Sequence, residues 1–170
     1  MLGFANTYGS VSGILVVALG YNDDVSSLFG IMFIVGAIVG AAVFGTLVEI
    51  FKMYKSATII ICGMGALASA FVEYSLYIES IVLACISFVF TGAALALLPV
   101  GIDFAVELTY PVAESISTGL LMSTGNFIGM ILTIGIGVII GQYDDIGAWI
   151  SMAILTGVAI ISVILACFVK

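Results

Sequence analysis

Residues 27–48 read SLFGIMFIVGAIVGAAVFGTLV, without one charged side chain. As an α-helix this stretch rises ~33 Å, enough to cross a hydrocarbon core ~30 Å thick. As a barrel strand it fails, because such strands alternate apolar and polar residues over ~10 positions. Asp23 and Asp24 precede it, and Glu49, Lys52 and Lys55 follow it, so charge resumes where a bilayer would end. The stretch therefore reads as a transmembrane helix.

The same pattern repeats on either side. Apolar runs occupy 2–20, 57–76, 80–102, 116–141 and 148–169. Polar breaks separate them at Tyr21-Asn22-Asp23-Asp24, from Glu49 to Lys55, around Tyr77 and Glu79, from Asp103 to Ser115, and at Gln142-Tyr143-Asp144-Asp145. The expected fold is an all-α membrane protein, one domain over 1–170 with six transmembrane helices. The first run begins in apolar sequence at Met1 and is crowded by Asn6, Thr7, Tyr8, Ser10 and Ser12. It is expected either as a short polar-lined span or as part of a longer helix. A basic leader and a small-residue cleavage site are both missing there, which argues against a signal peptide.

Composition agrees. Hydrophobic residues make up 64% of the chain and charged residues 8%, against ~25% charged in soluble domains. Mean hydropathy is +1.41. The net charge of −7 comes from ten acids placed almost wholly between the apolar runs. The basic residues are Lys52, Lys55 and Lys170, so the basic patch that nucleic-acid binding needs is missing. Cys62, Cys85 and Cys167 lie inside apolar runs, none in CxxC spacing, and histidine is absent. Neither a metal nor a cofactor is expected. No GxSxG, HExxH or P-loop pattern appears, and an enzyme is not expected.

The lysines set an orientation. Two spans precede Lys52 and Lys55 and six precede Lys170, so all three share one side. The positive-inside tendency makes that side cytoplasmic, with both termini. Tyr21, Tyr74, Tyr77, Tyr143 and Trp149 cluster at the opposite side, as an interfacial aromatic belt would. Among twenty glycines, Gly36/Gly40, Gly125/Gly129 and Gly137/Gly141 have GxxxG spacing. Small residues let helices approach closely in lipid, for packing within the bundle or for a dimer face.

Candidate site residues come from polar side chains inside the spans. Ser123, Asn126, Met130 and Thr133 fall on one face of the fifth span, with Gly119. An amide in hydrocarbon is costly unless satisfied, so Asn126 either bonds a neighbouring helix or lines a substrate pathway. Tyr8 and Ser12, at i, i+4 on the first span, form a second candidate wall or a packed core. Between spans four and five, Pro111 fits a first helical turn, and Glu114 near a helix N-terminus is either a cap or part of a charge lock.

The run from Gly101 to Leu121, GIDFAVELTYPVAESISTGLL, closely resembles the feline leukaemia virus subgroup C receptor-related family of major facilitator superfamily transporters, in their C-terminal half. GTLVEIFKMYK, residues 45–55, resembles the loop after that family's eighth span, with Glu49 where the family has aspartate and Ile50 where it has arginine. Thr7-Tyr8-Gly9 is similar to a Ser-Tyr-Gly in its seventh span. The resemblance implies two inverted three-helix repeats equivalent to spans seven to twelve of a carrier. It also implies alternating-access transport of choline or ethanolamine, with haem transport attributed to the family too. Family members surround an ammonium group with aromatic rings, and Tyr8 is the carry-over here. Asn126 stands where the family commonly has glutamine. On this reading Tyr8, Ser12, Ser123 and Asn126 bind substrate, and Glu49, Lys52, Glu107 and Glu114 form the cytoplasmic gate. The expected partners are the bilayer, a small-molecule substrate, and an N-terminal six-helix half or a second copy; the expected location is the plasma membrane. The competing class is a truncated or non-transporting bundle, or an assembly partner without its own pathway.

Overall fold

The computed structural model describes residues 2–51 and 54–168, and for Leu2, Asp144 and Asp145 the backbone alone. Its helical segments are α1 (Leu2–Ala18), α2 (Asp23–Phe51), α3 (Tyr54–Tyr77), α4 (Ile81–Thr109), α5 (Glu114–Tyr143) and α6 (Ile146–Phe168). No strand forms among the described residues. Helical geometry runs unbroken from Glu114 to Phe168. A straight rod of that length would extend ~82 Å. The chain instead folds back on itself: a Cβ on Gly147 would stand 2.6 Å from the Ile139 carbonyl oxygen. The absent side chain at Gly147 is what lets α5 and α6 meet so tightly beside their junction.

Five of the segments, α2 to α6, are long and apolar enough to cross a membrane. Segment α1 has 17 residues, ~26 Å of helix, slightly less than a bilayer core. The helices outrun the apolar stretches that announce them. Thus α2 continues to Phe51 and α4 to Thr109, through residues whose polarity suggested loops. The bilayer limits how far a helix can be apolar, not how far it can be helical. Beyond the hydrocarbon, the backbone keeps its own hydrogen bonds while polar side chains reach water. Pro111 accordingly stands in the turn ahead of α5, not in its first helical turn, which starts at Glu114. Within α4 the helix tightens into a 3-10 turn at Ala94–Ala96. Pro99 explains the place: it cannot donate to the Leu95 carbonyl, and its ring crowds that group.

Glycine sets the packing. On α2, Gly36 lies so close to the Val89 backbone that no Cβ would fit, and a Cβ on Gly40 would meet Ala93 at 2.6 Å. From the other side, Gly92 of α4 abuts the Phe33 carbonyl. A similar approach joins α1 to α5, where a Cβ on Gly3 would meet the Gly125 carbonyl oxygen at 3.0 Å. Two of the three GxxxG pairs thus serve contacts within the bundle. Gly137 and Gly141 face open space.

A core of aromatic rings fills the centre. Phe29 stacks on Phe88 at 4.9 Å, and Tyr8 lies 5.4, 5.9 and 6.1 Å from Phe4, Phe33 and Phe88. A second cluster, with Val48, Ile61, Cys62, Leu97 and Val100, closes the end near the α2–α3 connection. Outside, large apolar side chains such as Ile38, Leu67, Val82 and Leu120 are exposed. Water would not tolerate that surface; lipid requires it.

Candidate functional site

Residues two apart on a helix lie ~200° around its axis. Asn6 and Tyr8 therefore take opposite sides of α1. Tyr8 turns into the aromatic core, 4% exposed, against Phe4, Phe33 and Phe88. Ser12, one turn further on, is buried on the same side. Asn6 faces outward instead and its Nδ2 donates to Oδ1 of Asn126, 2.8 Å away on α5. Thr7 supports the same crossing: its hydroxyl lies 2.8 Å from the Gly3 carbonyl oxygen and 3.0 Å from that of Gly129.

Around the amide pair the bundle presents an open polar face. Asn126 and Ser123 are exposed, as are Gly119 and Met130, while Thr133 is half-buried. Ser10, one turn from Asn6, is exposed and donates to the Asn6 carbonyl. Ser10 also borders a groove between α1 and α2 of about 620 Å³, lined by Gly9, Ser12, Gly13, Ser26 and Ser27 among others. Small polar groups thus occur on α1 and α5 at the amide pair and on α1 and α2 along the groove. The pair leaves Nδ2 of Asn126 as a donor and Oδ1 of Asn6 as an acceptor. Such a site can read a hydroxyl or a primary ammonium and supplies no charge of its own.

The expected substrate residues therefore divide: Asn126 and Ser123 lie on the open face, Tyr8 lies inside the bundle, and Ser12 is largely buried at the edge of the α1–α2 groove. Asn6 and Ser10, at i, i+4 on α1, belong with Asn126; their spacing was visible in the sequence, but their register against α5 was not.

The expected gate residues Glu49, Glu107 and Glu114 are exposed, at the end of α2, near the end of α4 and at the start of α5. Helix connectivity places these three at one end of the bundle. Lys52 lies outside the described residues. No ion pair forms among the described residues, Lys55 included.

Acids were expected almost wholly between the apolar runs. Glu73 is the exception: it sits one turn before the end of α3, half-buried, and accepts a hydrogen bond of 2.6 Å from Thr156. Thr156 also lies 3.3 Å from Ser69 Oγ. The signal was available, since Cys62, Ala66, Ser69, Glu73 and Leu76 follow helical spacing and share the face of α3 turned to the bundle. No group of three or more potential metal ligands occurs among the described residues.

Comparison with known proteins yields transporters. An uncharacterized MFS-type transporter of Caenorhabditis elegans, C09D4.1, is 29% identical over 83% of this chain and 24% of its own length. Choline/ethanolamine transporter FLVCR2 of Homo sapiens is 33% identical over 67% of this chain and 22% of its own. Solute carrier family 49 member A3 of Xenopus tropicalis is 32% identical over 68% of this chain and 24% of its own. The matched region thus amounts to about a quarter of each relative. No family model matches the chain.

Proposed function

This chain is a relative of the FLVCR-type transporters of the major facilitator class and an integral multi-pass membrane protein, and on that premise we propose that it is the C-terminal six-helix half of an alternating-access carrier for a small organic cation, choline or ethanolamine. The observation that carries this reading is the Asn6–Asn126 amide pair, set on a polar face that the bundle leaves uncovered. Polar groups at membrane depth normally face protein or a water-filled cavity. A second six-helix half laid on this face would enclose the pair near midplane, where such carriers bind substrate.

The packing supports two inverted three-helix repeats, α1–α3 and α4–α6. A two-fold exchange of the repeats turns the α1–α5 contact into the α4–α2 contact. Both contacts are made by GxxxG helices, with Gly125 and Gly129 on α5 and Gly36 and Gly40 on α2. In this reading Asn126, Asn6, Ser123 and Ser10 touch substrate. Tyr8 and Ser12 hold α1 at the correct rotation from within. Glu49, Lys52, Glu107 and Glu114 close the cytoplasmic end, where both termini lie, in the plasma membrane.

The test is uptake of labelled choline and ethanolamine by cells producing the polypeptide that contains this chain. We expect saturable uptake, lowered about ten-fold by Asn126→Ala at equal surface abundance. Absence of both uptakes in a protein that reaches the surface would overturn the proposal. Wild-type uptake by Asn126→Ala would remove the amide pair from the pathway.

A further inference from the structure

At the end of the bundle opposite Lys55, the α1–α2 connection, the end of α3 and the start of α6 surround a cavity of about 730 Å³. Its lining includes Tyr21, Tyr77, Trp149 and Glu79. The Tyr77 and Trp149 rings meet edge to face at 6.2 Å. Tyr21 lines the cavity as well, its hydroxyl 3.5 Å from the Leu76 carbonyl oxygen. Glu79 follows α3 with φ of +59°, a left-handed conformation uncommon for a residue with a side chain. Burial and the Glu79 carboxylate together push the Tyr21 phenol up from its ordinary value. An interfacial belt accounts for aromatic rings at this depth. It does not account for three of them lining one cavity with a carboxylate.

The charge around the cavity is of one sign. Asp23, Asp24 and Glu79 belong to this end by connectivity, and Lys55 belongs to the other. Such a cluster attracts cations and raises their local concentration. Ring faces favour a large, weakly hydrated cation over a small metal ion.

We propose that Tyr21, Tyr77, Trp149 and Glu79 form a second site, which takes quaternary ammonium groups at the acidic end of the bundle, apart from the Asn6–Asn126 face. The ammonium can come from a free solute or from a phosphocholine lipid headgroup, since both present the same trimethylated nitrogen. The inference does not depend on transport.

Trp149 is the one tryptophan of the chain, so its fluorescence reports on this site. The 170-residue chain in phosphatidylglycerol nanodiscs is titrated with tetramethylammonium. A saturable change is expected, with a smaller response to neutral neopentyl alcohol at equal concentration. Tyr77→Leu is expected to weaken binding about two- to five-fold, as loss of one exposed ring contact implies. Glu79→Gln should weaken it further, and Glu79→Asn, a residue suited to positive φ, should behave like Glu79→Gln if charge rather than backbone strain matters. Asn126→Ala should leave the titration unchanged. Repeating the titration in phosphatidylcholine nanodiscs separates the sources. A weakened response there assigns the site to lipid headgroups, and an unchanged one assigns it to free solutes. No saturable change in phosphatidylglycerol, or an equal change with the neutral analogue, would overturn the proposal.

Discussion

The Thr156 hydroxyl donates to Glu73 Oε1 across 2.6 Å, tying the middle of α6 to α3 one turn before its end. In hydrocarbon an unpaired carboxylate is expensive, so the bond makes the acid tolerable where it stands. Interhelical hydrogen bonds in membranes average ~0.6 kcal/mol, and bonds to charged groups reach ~1.5–3 kcal/mol. Thr156→Val is therefore expected to destabilise the bundle by ~1 kcal/mol. The comparison is Thr124→Val, which removes only a bond to its own helix at Leu120. Thermal unfolding in detergent should separate the two; equal midpoints would show that the Glu73 contact adds nothing.

The amide pair on the open face is a separate matter of coupling. Asn6 and Asn126 touch only through one hydrogen bond across the α1–α5 crossing. A double-mutant cycle with Asn6→Ala and Asn126→Ala should return a coupling energy near 0.6 kcal/mol in stability. Strict additivity would mean that the two amides do not pair in the membrane.

Close helix approach gives the largest expected effect. A methyl group at Gly92 would run into the Phe33 backbone, whereas Gly63 faces open space. Overpacking costs ~1–3 kcal/mol. Gly92→Ala should thus reduce the folded fraction sharply, measured as monodisperse protein after extraction, while Gly63→Ala should be silent. If both variants extract equally well, α2 and α4 are not as close as the glycines permit.

Sidedness can be read directly. Lys55 is exposed at the start of α3, and Asn22 is exposed just before α2. In a cysteine-free background, Asn22→Cys should react with an impermeant maleimide in intact cells. Lys55→Cys should react only after permeabilisation. The reverse pattern would invert the proposed orientation and move the acidic cavity to the cytoplasm.

Much of this molecule was legible in its chain. Uncharged runs of about twenty residues required helices in lipid, because no other backbone arrangement satisfies its own hydrogen bonds within a single segment there. Helices part at the breaks around 21–24 and 77–79, whereas helical geometry continues through the break at 142–145. The breaks did not give the helix lengths, since helical geometry persists past the hydrocarbon edge, as α4 does to Thr109. The GxxxG spacings marked faces able to approach a neighbour, but could not distinguish Gly36 and Gly40, which do, from Gly137 and Gly141, which do not.

The sequence by itself determined the class, because the balance of apolar to charged residues leaves only lipid as a solvent for the surface. It also determined which side chains are polar at membrane depth. Which way each one points was decided only by tertiary structure. Tyr8 and Asn6 are two residues apart and equally polar in appearance, yet one enters an aromatic core and the other bonds Asn126. That choice depends on the rotation of α1 about its axis. The rotation is set by glycine contacts with a helix more than a hundred residues away in the chain, which no local pattern encodes.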